Sequence, residues 1–302
     1  KTMGTPAALP LVLGTAQLGL RYGIANRAGK PNLEAATAIV REAWDGRIRE
    51  FDTAQAYGCS EAVLGEALCR LGIADRAAVI SKFDPALEHL DAAAMARAVE
   101  ESLTRLGVAS LAGMMLHRQE RLAQWNQGLG RIAAALRATG KVKRIGVSVY
   151  SPDRAVEAIR ADGIDMVQVP TSVLDGRFLD AGVFDLARER GKLVYVRSVF
   201  LQGLVLMGPA EIPDALAAVR PGVERLEALA RDLDLTRQEL ALLAVRDAAP
   251  RARLIFGAET PAQVRDNLRA WARRSVPDLW QRAREAVGPV DERLLNPALW
   301  PL

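Results

Sequence analysis

The stretch Leu11-Val12-Leu13-Gly14-Thr15-Ala16-Gln17-Leu18-Gly19 separates the two folds open to this chain. It begins as a short apolar run of strand type and passes at once into a segment bounded by two glycines. A doubly wound open sheet usually carries a Gly-x-Gly-x-x-Gly phosphate turn after its first strand. Here the glycines stand at positions 14 and 19. The spacing is wrong for that turn, and a Rossmann domain loses ground to a barrel.

Outward from this stretch, strand-like runs alternate with longer amphipathic ones to the end of the chain. The strand candidates are Leu11–Gly14, Ile48–Asp52, Ala78–Lys82 and Leu111–His117, followed by Arg144–Ser148, Met166–Pro170, Leu193–Ser198 and Arg253–Gly257. Between them, apolar residues three and four apart predict helices such as Ala94–Leu106, Ile132–Thr139 and Val156–Ala161. Ser60, Asp91, Ser151-Pro152 and Thr260-Pro261 have the chemistry of helix starts, and Gly107 and Gly140 that of stops. Eight such strand–helix repeats joined by short connections predict a (β/α)8 TIM barrel, α/β in class, with residues 1–302 as a single domain. The stretch of about 203–222, with Pro209, Pro213 and Pro221, is expected to fold over the barrel mouth. The tail, about 276–302, reads as one helix followed by a Pro-rich extended end.

Composition narrows the class. Half of the 302 residues are apolar and a quarter charged, which suits a globular protein with a sizeable core. The net charge of +4 comes from scattered basic residues, a solubility feature and not a nucleic-acid footprint. No apolar stretch has membrane-spanning length, and Lys1-Thr2-Met3-Gly4 lacks the apolar core of a signal peptide. Cys59 and Cys69 flank a predicted helix, so a disulfide between them is not expected, and the low cysteine count fits a reducing, cytoplasmic setting. With two histidines and no paired cysteines, no metal site is expected.

The polar residues that end the strands point to chemistry. Asp52, Lys82, His117 and Ser148 close four successive strand candidates, and Tyr57 lies five residues past Asp52 in the loop that opens the next helix. In a barrel these positions meet at one mouth, where active sites form. A lysine beside a buried carboxylate stays charged, and near a phenol it would pull the tyrosine pKa down. An imidazole there can hydrogen-bond a carbonyl oxygen or move a proton. Cys59 has no base nearby and reads as packing, and His89 falls in an apparent solvent-exposed loop.

Phe51-Asp52-Thr53 through Tyr57-Gly58, with Lys82 and His117, resembles the catalytic tetrad of the aldo-keto reductase superfamily. The likeness runs from Gly14-Thr15-Ala16-Gln17 to the eighth strand–helix unit. It implies an oxidoreductase with Asp52, Tyr57, Lys82 and His117 as catalytic residues. It also implies a nicotinamide cofactor, NADP by the family's habit with NAD as the alternative, bound extended across the mouth. Carried over residue by residue, Ser148 and Gln168 would hold the nicotinamide carboxamide, although Val149 stands where many members have Asn. Arg197 and Ser198 replace a common aromatic segment. Gly14, Thr15 and Ala16 fall at the opening, Leu201 and Gly203 along the pyrophosphate, and Gly257, Gln263 and Asn267 at the adenosine. Arg265 is the candidate partner for a 2′-phosphate, which Glu259 would repel.

The substrate is expected to be a small carbonyl or alcohol. Arg21, Arg118 and Arg197 all follow strands on the catalytic side and suggest an anionic sugar derivative, unless each pairs with a rim carboxylate. Trp125 and Trp300 are candidates for an apolar wall. Two alternatives keep the fold: a redox-neutral sugar epimerase with retained nicotinamide, and a cofactor-binding regulatory subunit. A monomer or small homo-oligomer is expected.

Overall fold

Val12, Ile80, Met115, Met166, Tyr195 and Ile255 come from six different strands and form one buried cluster. Strand side chains alternate between faces, so these residues mark the inward face, and each strand's positions of the same parity line the barrel interior. The computed structural model describes residues 9–301; the segment Lys1-Thr2-Met3-Gly4 lies outside the described residues. The strands are β1 (Leu11–Gly14), β2 (Glu50–Asp52), β3 (Ala78–Lys82), β4 (Gly113–Leu116), β5 (Ile145–Ser148), β6 (Met166–Pro170), β7 (Leu193–Arg197) and β8 (Arg253–Gly257). All pair in parallel in chain order, and β1 closes on β8 through Gly14↔Gly257. Inside, Gly146 makes room for sulfur side chains: a Cβ there would come within 2.6 Å of Met166 Cγ and 3.1 Å of Met115 Cγ.

The helices are α1 (Ala16–Gly19), α2 (Leu33–Asp45), α3 (Ser60–Arg70), α4 (Ala92–Leu106), α5 (Leu129–Ala138) and α6 (Pro152–Arg160), then α7 (Arg177–Asp180), α8 (Val183–Glu189), α9 (Arg220–Asp232) and α10 (Arg237–Ala248). α11 (Pro261–Ala272), α12 (Leu279–Val287) and α13 (Glu292–Leu295) complete the chain. Most pack around the sheet through a continuous apolar layer of Leu, Ile, Val and Ala. A second apolar core joins α9, α10 and α12 to the segment after β7. No helix among the described residues is long and apolar enough to cross a membrane.

Local chemistry accounts for the boundaries. Asp91 caps α4 by accepting from Ala94 N, and Gly107 ends it at φ 64°, where a left-handed residue is needed. Ser60 is not the cap of α3 but its first residue. Its hydroxyl donates to the Thr15 carbonyl oxygen at 2.7 Å and accepts from Thr53 Oγ1 at 3.0 Å, so it ties the site loops together. Ile48 falls short of β2 because its N–H donates to Ala43 O in the turn that leaves α2. Ser198 falls outside β7 because it turns to φ 62°. The proline-rich stretch of about 203–222 forms three short 3-10 turns and passes into α9. His89 is not exposed but fully buried, its ring edge-on to Phe83 at 5.8 Å and its Nδ1 2.6 Å from Leu87 O.

Candidate active site

Asp52 and Lys82 are the last residues of β2 and β3, and both point into the mouth. Lys82 Nζ donates to Asp52 Oδ2 at 2.6 Å and to Thr53 O at 2.9 Å, with the ammonium group buried. The other carboxylate oxygen, Oδ1, accepts from Gln168 Nε2 at 2.8 Å. Burying a charge this deeply is tolerable only when it is paired and hydrogen-bonded, and here both conditions hold.

The Tyr57 ring lies 5.0 Å from Lys82 Nζ and stands edge-on to His117, with ring centroids 5.7 Å apart. The loop that presents it is fixed from several sides. Gln55 N donates to Lys82 O, Tyr57 N to Ala54 O, and Ser60 N back to Tyr57 O. The Gln55 side chain clamps the same loop to α4, donating to Ala98 O at 2.8 Å and Ser102 Oγ at 2.9 Å.

Burial pushes the Tyr57 phenol above its ordinary range and the Asp52 charge pushes it further, while Arg197 pulls it down. The downward pull expected from Lys82 is therefore not what decides this phenol: burial and the Asp52 charge outweigh the cation that lowers it, Arg197. Burial pushes the His117 imidazole down to about 3, helped by the charges of Lys82, Arg197 and Arg118. The shift favours the neutral imidazole near neutral pH, and among the described residues its Nδ1 is buried without a partner. The constellation pairs a protonated phenol with a neutral imidazole, a donor set suited to an oxygen atom that gains charge.

From Tyr57 a cleft of about 320 Å³ runs to the far side of β8, a volume within the ordinary range of small-molecule sites. Gly14, Thr15, Ala16, Gln168, Arg197, Ser198, Leu201, Gly203, Gly257, Gln263 and Asn267 all line it. Ser148 is buried at the end of β5 and is not among the lining residues. At the far end, Asn267 Oδ1 is buried with no partner among the described residues, while its Nδ2 donates to Gln263 O. Gln263 Oε1 accepts from Glu259 N at 2.6 Å. An open acceptor and the start of α11 at this end, with Tyr57 lining the other, fit an extended dinucleotide. The site is therefore compatible with a nicotinamide cofactor.

Several expectations need correction. Arg265 does not line the cleft; its Nη1 is held by Glu42 Oε2 at 2.8 Å. Trp125 donates to Asp162 O and packs in the outer apolar layer, so it forms no substrate wall. Trp300 likewise turns inward to Leu294 O and the second core. In turn, Tyr22, Gln202 and Gln238 line the cleft without having been anticipated. Tyr22 sits in the long loop between α1 and α2 and Gln238 on α10, and no local pattern marks either as a site residue.

Comparison with known proteins agrees with this geometry. Residues 10–287 match the sequence profile of the aldo/keto reductase family. The chain is 25% identical to the pyridoxal 4-dehydrogenase of Microbacterium luteolum, covering 91% of this chain and 92% of that protein. It is 25% identical to the NADH-specific methylglyoxal reductase of Escherichia coli, covering 74% and 78% respectively. The holo structure of an aldo-keto reductase from Bacillus halodurans superposes with a TM-score of 0.75 at 22% identity, covering 93% of each chain. A closed parallel barrel with this mouth, and a profile match across nearly its whole length, make the chain a member of the aldo/keto reductase family and an NAD(P)-dependent oxidoreductase.

Proposed function

We propose that this protein interconverts a small carbonyl compound and its alcohol, with Tyr57 as the proton donor to the carbonyl oxygen. The observation that carries this reading is the meeting of a raised phenol, a neutral imidazole and a buried Lys82–Asp52 pair at one mouth. A bound nicotinamide would supply the hydride. In the reducing direction, Tyr57 gives its proton to the oxygen as negative charge builds there. His117, being neutral, can hold that oxygen by a hydrogen bond without releasing a charge of its own. Lys82 and Asp52 fix the electrostatic floor beneath both. Gln168 is engaged with Asp52, so its amide would serve the floor as well as a cofactor. In the oxidising direction Tyr57 must first lose its proton, so that direction gains with rising pH.

We further infer NAD(H) as the preferred cofactor, in place of the NADP expected from family habit. Glu259 lines the far end of the cleft and Arg265 is occupied by Glu42. A carboxylate at that end suits a ribose hydroxyl and repels a 2′-phosphate. The NADH-specific Escherichia coli relative is consistent with this reading. A single variant tests both parts. Tyr57→Phe should lose about 10²- to 10⁴-fold in kcat while binding reduced cofactor with near wild-type affinity. Fluorescence titration of the same variant should find NADH bound more tightly than NADPH. Near-full turnover would remove Tyr57 from its role, and tighter NADPH binding would reverse the cofactor assignment.

A further inference from the structure

Arg21, Arg118 and Arg197 all lie on the catalytic side, and none takes part in an ion pair among the described residues. Arg21 and Arg118 are exposed, but Arg197 is half-buried and lines the cleft beside Tyr57. Its guanidinium is stacked 4.3 Å from the centre of the Tyr150 ring. Nη2 donates to Val149 O and Nη1 to Ser198 Oγ, both at 3.2 Å. A guanidinium has five N–H donors in a rigid fork, so this anchoring leaves donors free.

The anchoring matters because it immobilises a cation that no carboxylate among the described residues pairs with. Asp52, the carboxylate that lines the same end of the cleft, is already engaged through both oxygens by Lys82 and Gln168. The Arg197 charge is felt at Tyr57, Tyr22 and His117, which places it close to the proton-transfer groups. Without a carboxylate partner such a cation carries a desolvation cost that is repaid only when an anionic group of a bound molecule meets it. An anionic group on the substrate removes that cost through charge-assisted, forked hydrogen bonds.

We propose that Arg197 receives a carboxylate or phosphate carried by the substrate close to its reacting carbonyl. This names the substrate class of the site and rests on the reading of Tyr57 as proton donor. Stacking on Tyr150 pre-orients the fork, so binding an anion would cost little further ordering.

The test compares kcat/KM for matched aldehydes with the same cofactor. One pair is 4-oxobutanoate and its methyl ester, and the other is glyceraldehyde 3-phosphate and glyceraldehyde. The wild type should favour the charged member of at least one pair by about tenfold or more, and the favoured pair distinguishes carboxylate from phosphate. In Arg197→Met that preference should collapse by about 10- to 100-fold, chiefly through KM, and Arg197→Lys should restore part of it. Two results overturn the proposal: a wild type with no preference in either pair, or an Arg197→Met variant that keeps the preference while losing cofactor affinity in a fluorescence titration. Either leaves the Tyr57 reading standing, because the neutral aldehydes report it independently. That reading falls on a different result, undiminished turnover by Tyr57→Phe with those neutral aldehydes.

Discussion

Lys82 keeps an ammonium group almost wholly out of water, and its two partners are the Asp52 carboxylate and the Thr53 carbonyl. The carboxylate in turn holds Gln168. At the scale of one residue, Asp52 is thus the point on which two polar side chains, Lys82 and Gln168, depend. Removing one charge of a buried pair costs far more than the pair's net worth, because the remaining charge stays desolvated. Asp52→Asn keeps the shape and one oxygen acceptor but leaves the Lys82 charge uncompensated. It should lower unfolding free energy by about 3–5 kcal/mol at neutral pH, read from the shift in urea midpoint at unchanged m-value. A change below ~1 kcal/mol would mean that Lys82 sheds its proton or finds water instead.

One level up, the unit that matters is the turn from β1 through α1 packed against the loop from β2 to α3. Thr15 Oγ1 donates to Asp52 O at 2.9 Å, and Ser60 donates to Thr15. Gly19 touches the same loop. A Cβ there would lie 1.8 Å from Tyr57 O and 2.5 Å from Ser60 N, against backbone that cannot swing aside. Gly19→Ala should therefore displace the Tyr57 loop. We expect kcat to fall at least about tenfold, since misplacing a proton donor by an ångström is costly, with a lowered melting temperature measured alongside. Wild-type kcat in a folded Gly19→Ala protein would show that the loop adjusts freely. The opening stretch thus excludes a phosphate turn by its glycine spacing and also holds the site loop, and only the first of these is legible in the residues alone. Strands read well because their period of two and their apolar content are local signals. Asp52, Lys82 and Gln168 meet because strand parity and barrel closure leave them nowhere else to point. What the residues could not reveal depends on packing between distant segments. His89, a loop residue as read, looks exposed until Phe83 covers it, and Trp125 looks free until Asp162 takes its N–H. Arg265 looks available until α2 brings Glu42 across.

For the whole molecule, the two ends of the barrel divide the work. The mouth carries the site, and the opposite end carries a polar closure between strands that are far apart in sequence. Glu50, the first residue of β2, accepts from Tyr195 Oη of β7 at 2.8 Å and from Arg253 Nε of β8 at 2.6 Å. The Tyr195 ring belongs to the interior cluster, so this contact closes the lower layer of the barrel. Burial and the Glu50 charge both push the Tyr195 phenol above its ordinary range, which favours the protonated donor that Glu50 accepts from. Glu50→Gln preserves the shape and removes the charge, leaving Arg253 half-buried and unpaired. The loss should be about 1–3 kcal/mol of unfolding free energy, less than for a fully buried pair because water still reaches this end. Glu50 lies one inward position below Asp52 on β2, but its partners Tyr195 and Arg253 are not those of Asp52, which holds Lys82 and Gln168, and sites with no shared partners act nearly independently. The variant should therefore keep kcat/KM within about twofold of wild type at 25 °C, where the folded state still dominates. A parallel fall in kcat/KM and stability would show that the lower layer sets the spacing of the strand ends above it. The barrel would then transmit its closure to Tyr57 and Lys82 instead of only supporting them.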